Sequence, residues 1–251
     1  RYLPNTDSCY GGLRKWLTRI VVKHAGAVMP VTANLRDAMI AKGLKNKNYI
    51  VIPNVVDVEK FKPAPKVYDP NKKSLVHLSC FTDKQKNISG ILRIMKKLSE
   101  KRDDFFLKLI GDGEDFIAMK SMSDELGLTG KFVEFTGLKE GEALVELLNQ
   151  ADLMIMFSNY ENLPVVILES YSCGVPVIST RVGGIHEHLN DTLGRLTEPG
   201  NEDQFLEAIE EFLDNPKEYQ SAKIREYALN NFSNEIIGNS IYNVYIELIA
   251  S

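Results

Sequence analysis

The chain has 251 residues, 44% of them hydrophobic and 25% charged, which are globular proportions and exclude collagen-like, mucin-like and acidic disordered classes. Its net charge of −4 is spread over interleaved acidic and basic residues. The electrostatic footprint of a nucleic-acid binder is therefore missing, and any anion site must be local. Cys9, Cys80 and Cys173 have neither metal nor disulfide spacing, as expected of free thiols in a cytoplasmic protein. No apolar run reaches the roughly 20 residues of a membrane-spanning helix.

The first elements read as a basic amphipathic helix from Gly12 to His24, with Trp16 on a face expected to be core. A strand AVMPVT follows, then a helix to Lys42 and an extended NYIVIPN. Val56 to Lys73 carries Pro63, Pro65 and Pro70 among charges and reads as a linker, because proline restricts itself and its predecessor to extended backbone. From Ser74 to Pro199 apolar runs (SLVHLSCF, FFLKLIGDG, KFVEFTG, DLMIMFSN, VPVIST) alternate with helical patterns such as NISGILRIMKKLSEK and PVVILESYSCG. Strands this apolar, separated by helices, call for a parallel sheet buried on both faces by right-handed crossovers, an α/β doubly wound, Rossmann-like fold. Helices are then predicted near Asp203–Leu213, Pro216–Asn230 and Asn234–Ala250. The last carries Ile237, Ile241, Tyr245 and Leu248 at helical spacing and needs a partner.

In open parallel sheets ligands bind at the carboxyl ends of the strands. The loops predicted at that edge hold Ser79 to Asn87, Gly111-Asp112-Gly113, Gly137-Leu138, Ser158 to Pro164 and Arg181 to Gly184. Within ENLPVVILES, Glu161 lies in a loop and Glu169 in a helix opened by Pro164 and closed at Gly174, as helix-boundary preferences favour. That helix is apolar nearly all round, so Glu169 is expected to be largely buried and to need donors, which sugar or ribose hydroxyls supply. The competing reading is a Glu169 at the wet edge, paired with a surface lysine. The free amides at the helix start, around Leu163 to Val166, suit a phosphate. Lys86 can face a diphosphate or remain a solvated loop lysine, with Asn87 or Ser89 capping the next helix. Gly111, Gly113 and Gly183-Gly184 permit close backbone approach or simply mark turns, and no third glycine completes a dinucleotide fingerprint. No residue pattern suggests a metal or a serine nucleophile.

Taken in order, VTANLRDAM, IPNVVDVEKF, Lys86-Asn87, LIGDGED, VEFTG, ENLPVVILESYSCGVPVIST and VGGIHE resemble the retaining glycosyltransferases of the GT-B fold and family-4 type, the group that includes glycogen, sucrose and mannosyl transferases. The resemblance covers nearly the whole chain. It implies Glu161 at the donor sugar, Glu169 on the ribose, and Lys86 with the amides near Asn162, Leu163 and Val165 on the diphosphate. The base would lie near Gly137 and Leu138. Such an enzyme uses a nucleoside diphosphate sugar, an acceptor saccharide or lipid-linked saccharide, and no metal or other cofactor. Two positions depart from the family: Ser79-Cys80 replaces a Gly-Arg pair whose arginine binds phosphate, with Arg181 as a candidate substitute, and Asn162 replaces a glycine.

The resemblance further implies a donor unit at residues 56–232, the end of an acceptor-binding domain at 1–55, and a helix at 233–251 returning to that domain. The rest of the second domain, a route to peripheral membrane association, would be absent, leaving a fragment that binds donor and hardly catalyses. Competing readings are a non-hydrolysing sugar-nucleotide epimerase and a degenerate nucleotide-sugar-binding subunit.

Overall fold

A computed structural model describes residues 12–66, 69, 71–216 and 219–250. Cys9, Pro70 and positions 217–218 of a predicted helix lie outside them. The chain opens with α1 (Gly12–His24) and α2 (Ala33–Ala41). The predicted strand AVMPVT reduces to one parallel bridge, Val28 to Tyr49, beside which the Ile50 and Ile52 amides donate to the Val28 and Pro30 carbonyls. Trp16 is 57% exposed, so the α1 face expected to be core is open in this chain. The stretch read as a linker begins as a packed strap: Val56, Val58 and Phe61 are buried, and the Arg225 guanidinium donates to the carbonyls of Val58, Phe61 and Ser172.

Six parallel strands follow: β1 (Lys73–Leu78), β2 (Phe105–Ile110), β3 (Val133–Gly137), β4 (Leu153–Met156), β5 (Val177–Thr180) and β6 (Gly194–Thr197), in the order β3-β2-β1-β4-β5-β6. Between them run α3 (Asp83–Lys86), α4 (Ile88–Ser99), α5 (Phe116–Glu125), α6 (Gly141–Asn149), α7 (Val165–Ser172) and a 3₁₀ turn at Ile185–Glu187. α8 (Glu202–Asp214), α9 (Ser221–Phe232) and α10 (Asn234–Ala250) complete the chain. The doubly wound reading is what forms.

The strands are apolar along their length because successive side chains enter opposite cores. On β4, Leu153 and Ile155 join the layer of α4, α5 and α8, while Met154 and Met156 join that of α6, α7 and α9. β6 escapes sequence reading, since Gly-Arg-Leu-Thr has no apolar run and is a strand only because β5 pairs with it from Val177 to Thr180. α10 closes on the early segment: Ile237 and Val244 are buried with Ile52, and Ala27, Ile50, Ile241 and Leu248 pack around them. Tyr245, counted on that face by spacing, is 56% exposed.

Leu92 on α4 is fully buried between the sheet and α8, whereas the Lys101–Glu210 pair, which joins the turn after α4 to α8, is exposed. Leu92→Ala should lower the unfolding free energy by about 3 kcal/mol in urea titrations. Lys101→Ala should lower it by less than about 1 kcal/mol.

Candidate functional site

Chain winding reverses between β1 and β4, and only Leu75↔Leu153 and Val76↔Met154 pair across that boundary. The loops leaving these strands are tied to each other, the amides of Asn159 and Tyr160 both donating to the Gln85 carbonyl at 2.8 and 3.2 Å. Lys86 and Glu161 meet there, Nζ to Oε1 at 2.6 Å, with side chains only 15% and 7% exposed. Ser158 Oγ donates to the same oxygen at 2.9 Å, leaving Oε2 with no donor among the described residues. Lys86 is thus a paired, half-hidden lysine and not a solvated one. Asn87 sits in the left-handed region (φ 52°) and caps nothing with its side chain. The cap comes instead from Asp83, whose carboxylate accepts from the Ser89 amide and hydroxyl at 2.8 and 2.7 Å.

Gly111 and Gly113 serve this loop first. At their positive φ a Cβ would strike Ser79 O and the Phe81 backbone, and Phe81 N donates to Asp112 O at 2.9 Å. Gly137 ends β3, its carbonyl accepting from Gly111 N, and Leu138 beside it is 62% exposed. Glu169, expected to be the buried carboxylate, is only partly buried; Glu161 holds that position. Among the described residues Glu169 has no hydrogen bond or ion pair. Desolvation raises its pKa, against which only the charge of Lys60 acts. The surface-lysine alternative is therefore not what forms either. At the start of α7, Pro164 is the N-cap and no side chain caps the first amides. Val165 is 40% exposed there, and Leu163 is buried beneath. Arg181 faces Glu198 at 3.7 Å, both half-exposed or more, a pairing weak enough to be given up for a phosphate.

The segment before the sheet holds the Glu161 loop from its far side. Thr32 Oγ1 donates to Asn162 Oδ1 at 3.0 Å and Asn54 Nδ2 to the Leu163 carbonyl at 2.8 Å. The Glu187 carboxylate accepts from the Ala33 and Asn34 amides, each at 2.8 Å, at the positive end of α2. Gly183 (φ 55°) lets this turn lie against the Glu161 carbonyl, where a Cβ would collide. Sequence reading found Gly183-Gly184 but gave Thr32, Asn54 and Glu187 no role. The signal available was VTANL, a helix N-cap with no acidic residue in the first turn to meet its dipole. A second recess, lined by Lys66, Asp152, Cys173 and Tyr219 at the opposite edge of the sheet, contains none of these residues.

Residues 59–230 match the family model for glycosyl transferases group 1. The chain belongs to that family. The curated relatives of these group 1 transferases include the N-acetyl-alpha-D-glucosaminyl L-malate synthase of Bacillus anthracis, 31% identical over 183 residues, 71% of this chain and 46% of that protein. They also include an alpha-D-kanosaminyltransferase of Streptomyces kanamyceticus, 22% identical over 94% of this chain and 64% of that protein. The chain spans about half the length of several curated relatives it matches, 46%, 55% and 42% for three of them. Among solved structures, sucrose-phosphate synthase from Thermosynechococcus elongatus superposes with TM-score 0.84 at 21% identity, over 99% of this chain and 64% of that one. HepE from Anabaena, in complex with UDP and glucose, gives 0.79 at 20% identity, over 94% and 67%. These likenesses establish the GT-B type of Rossmann-like fold.

Because burial raises the Glu169 pKa, its ionised form is disfavoured in the folded chain. The contribution of this one group to stability is full below about pH 4, the range of an unperturbed glutamate, and is lost as pH rises through the higher folded value. Glu169→Gln should therefore raise the melting temperature at pH 7 and leave it nearly unchanged below pH 4, as scanning calorimetry over that range would record.

Proposed function

We propose that this chain is the donor-binding part of a retaining glycosyltransferase, which moves a sugar from a nucleoside diphosphate sugar to an acceptor hydroxyl in polysaccharide or glycoconjugate synthesis. The observation that carries the reading is the Lys86–Glu161 pair at the winding reversal, with Glu169 on the adjoining helix and without a hydrogen bond or ion pair among the described residues. A bound donor would exchange this pair: its diphosphate takes the Lys86 ammonium and the open first turn of α7, while a sugar hydroxyl donates to Glu161. Lys86 then opposes the negative charge that grows on the departing diphosphate, and Glu161 fixes the sugar ring as positive charge develops on it. Electrostatic stabilisation of this kind needs no metal ion. Glu169 accepts from the ribose hydroxyls, and the edge of β3 at Gly137 and Leu138 receives the base. Arg181 turns from Glu198 to the phosphate that the family's absent arginine would hold.

Support for a nucleotide-sugar donor comes from the HepE structures, which hold UDP, UDP with glucose, and UDP-glucose. We assign residues 56–232 to the donor unit, 1–55 to the end of an acceptor-binding unit, and 233–251 to the helix returning to it, in keeping with the packing of α10 on Ala27, Ile50 and Ile52. The acceptor is an unidentified saccharide or lipid-linked saccharide. Free thiols at Cys80 and Cys173 accord with a cytoplasmic site of action.

Titration calorimetry with UDP and GDP, with and without magnesium, tests the reading. One nucleotide should bind without metal, Lys86→Ala and Glu169→Ala should each weaken it at least tenfold, and Arg181→Ala should weaken it several-fold. Absence of binding to either nucleotide would favour a degenerate subunit.

A further inference from the structure

Beneath the Lys86–Glu161 pair lies a buried histidine that makes none of the proposed donor contacts. His77 on β1 is 0% exposed. Its Nδ1 lies 2.9 Å from the Ile155 carbonyl on β4 and its Nε2 lies 2.8 Å from Ser79 Oγ. A carbonyl oxygen can only accept, so Nδ1 carries the ring proton. Burial, the dominant influence, pushes the pKa down to about 4, so the ring is neutral near pH 7 and Nε2 offers a lone pair. The Ser79 hydroxyl must then donate to Nε2, and its oxygen is left as an acceptor only.

The position of this relay matters as much as its polarity. Registered pairing of β1 with β4 stops at Val76 and Met154, and one residue further the imidazole takes the Ile155 carbonyl where the strands part. Ser79 is the first residue past β1 and partly exposed. Its amide donates to Ile110 O at 3.1 Å, and its carbonyl is hemmed in by Gly111. The serine oxygen is therefore held by its backbone and oriented by the imidazole below. It begins the loop that carries Lys86.

We propose that Ser79, oriented by His77, is a specificity-determining residue of the donor site: a fixed acceptor that takes a hydrogen bond from a hydroxyl or amide N–H of the donor sugar. The inference rests on the donor-site reading above. Phosphate oxygens are themselves acceptors and would meet only lone pairs at Ser79, so the diphosphate is directed to Lys86 and α7. The base, two strands away at β3, is out of reach. His77 is a positioning residue, since it acts only through the serine.

The test compares wild type, Ser79→Ala and Ser79→Thr in calorimetric titrations with UDP, GDP, UDP-glucose and GDP-mannose. Ser79→Ala should bind the preferred nucleoside diphosphate within about twofold of wild type and lose roughly 5- to 20-fold in affinity for the matching nucleotide sugar, the scale of one hydrogen bond left unmade. Ser79→Thr, which keeps the hydroxyl, should recover most of that loss. Two-bond ¹H–¹⁵N spectra of His77 should show the Nδ1–H tautomer between about pH 6 and pH 8, with an Nε2 shift in Ser79→Ala that a merely space-filling serine would not produce. An Nε2–H tautomer, equal weakening of nucleotide and nucleotide sugar, or no weakening of either would overturn the assignment while leaving the donor site standing. A wild-type chain that binds none of the four would overturn both.

Discussion

The parting of β1 from β4 is the constraint on which the rest of the site depends. A parallel sheet wound in opposite directions from its middle has one boundary where successive crossovers leave toward different faces, and at that boundary no connection covers the carboxyl ends of the strands. Here registered pairing fails after Val76 and Met154, and the loops that follow lean on each other through the Gln85 carbonyl. The opening is lined by what those loops carry: Lys86 from one, Ser158 and Glu161 from the other, with His77 under both. Lys86 and Glu161 lie 75 residues apart in the chain and meet because the topology brings them to the same gap.

Charge placed in such a gap is costly. A lysine and a glutamate with little exposure lose hydration that their mutual attraction recovers only in part, so their pairing is weak evidence of a stability role. The pair becomes intelligible when each member has another partner to exchange for, one anionic and one hydroxylic, because each side chain then holds the other in place until it is exchanged. Glu169 is the complementary case. It has given up hydration with no compensating bond, at a position on α7 where Val165, Val166, Ile167 and Leu168 leave few polar neighbours to help. Groups held at an electrostatic disadvantage by the fold are typical of sites shaped for a ligand.

The sheet was legible because an all-apolar strand has few alternatives. Leu153-Met154-Ile155-Met156 can be satisfied only by cover on both faces. The loops at the strand ends were legible for the same reason, since polar residues that interrupt such runs must lie at the edges. What could not be read was anything decided by partners distant in sequence. β6 is a strand by virtue of β5. Tyr245 repeats with Ile237 and Ile241 yet faces outward, because the packed stripe of α10 runs from Ile237 and Ile241 through Val244 to Leu248 and leaves Tyr245 beside it. Burial was assigned to Glu169 on the apolar character of its own helix, whereas Glu161 is the more enclosed because a lysine from another loop and a turn built on Gly183 close over it. His77 carried no motif at all; a lone histidine in an apolar strand is informative only once the carbonyl opposite it is known.

The same dependence on distant partners limits how far the site belongs to the Rossmann-like unit alone. Asn162 and Leu163, which follow Glu161 directly, are held by Thr32 and Asn54, and the Glu187 turn is anchored to the first amides of α2. Those residues stand in a segment whose apolar side chains, Ile50 and Ile52, are buried by α10, the last helix of the chain. A continuous line of contact therefore runs from α10 through Ile52 and Asn54 to Leu163 and the loop of Glu161. The sheet supplies the gap and the charges. Lys86 and Ser158 hold the Glu161 carboxylate within the gap, and the residues that follow it, Asn162 and Leu163, are braced by a segment that α10 in turn packs against.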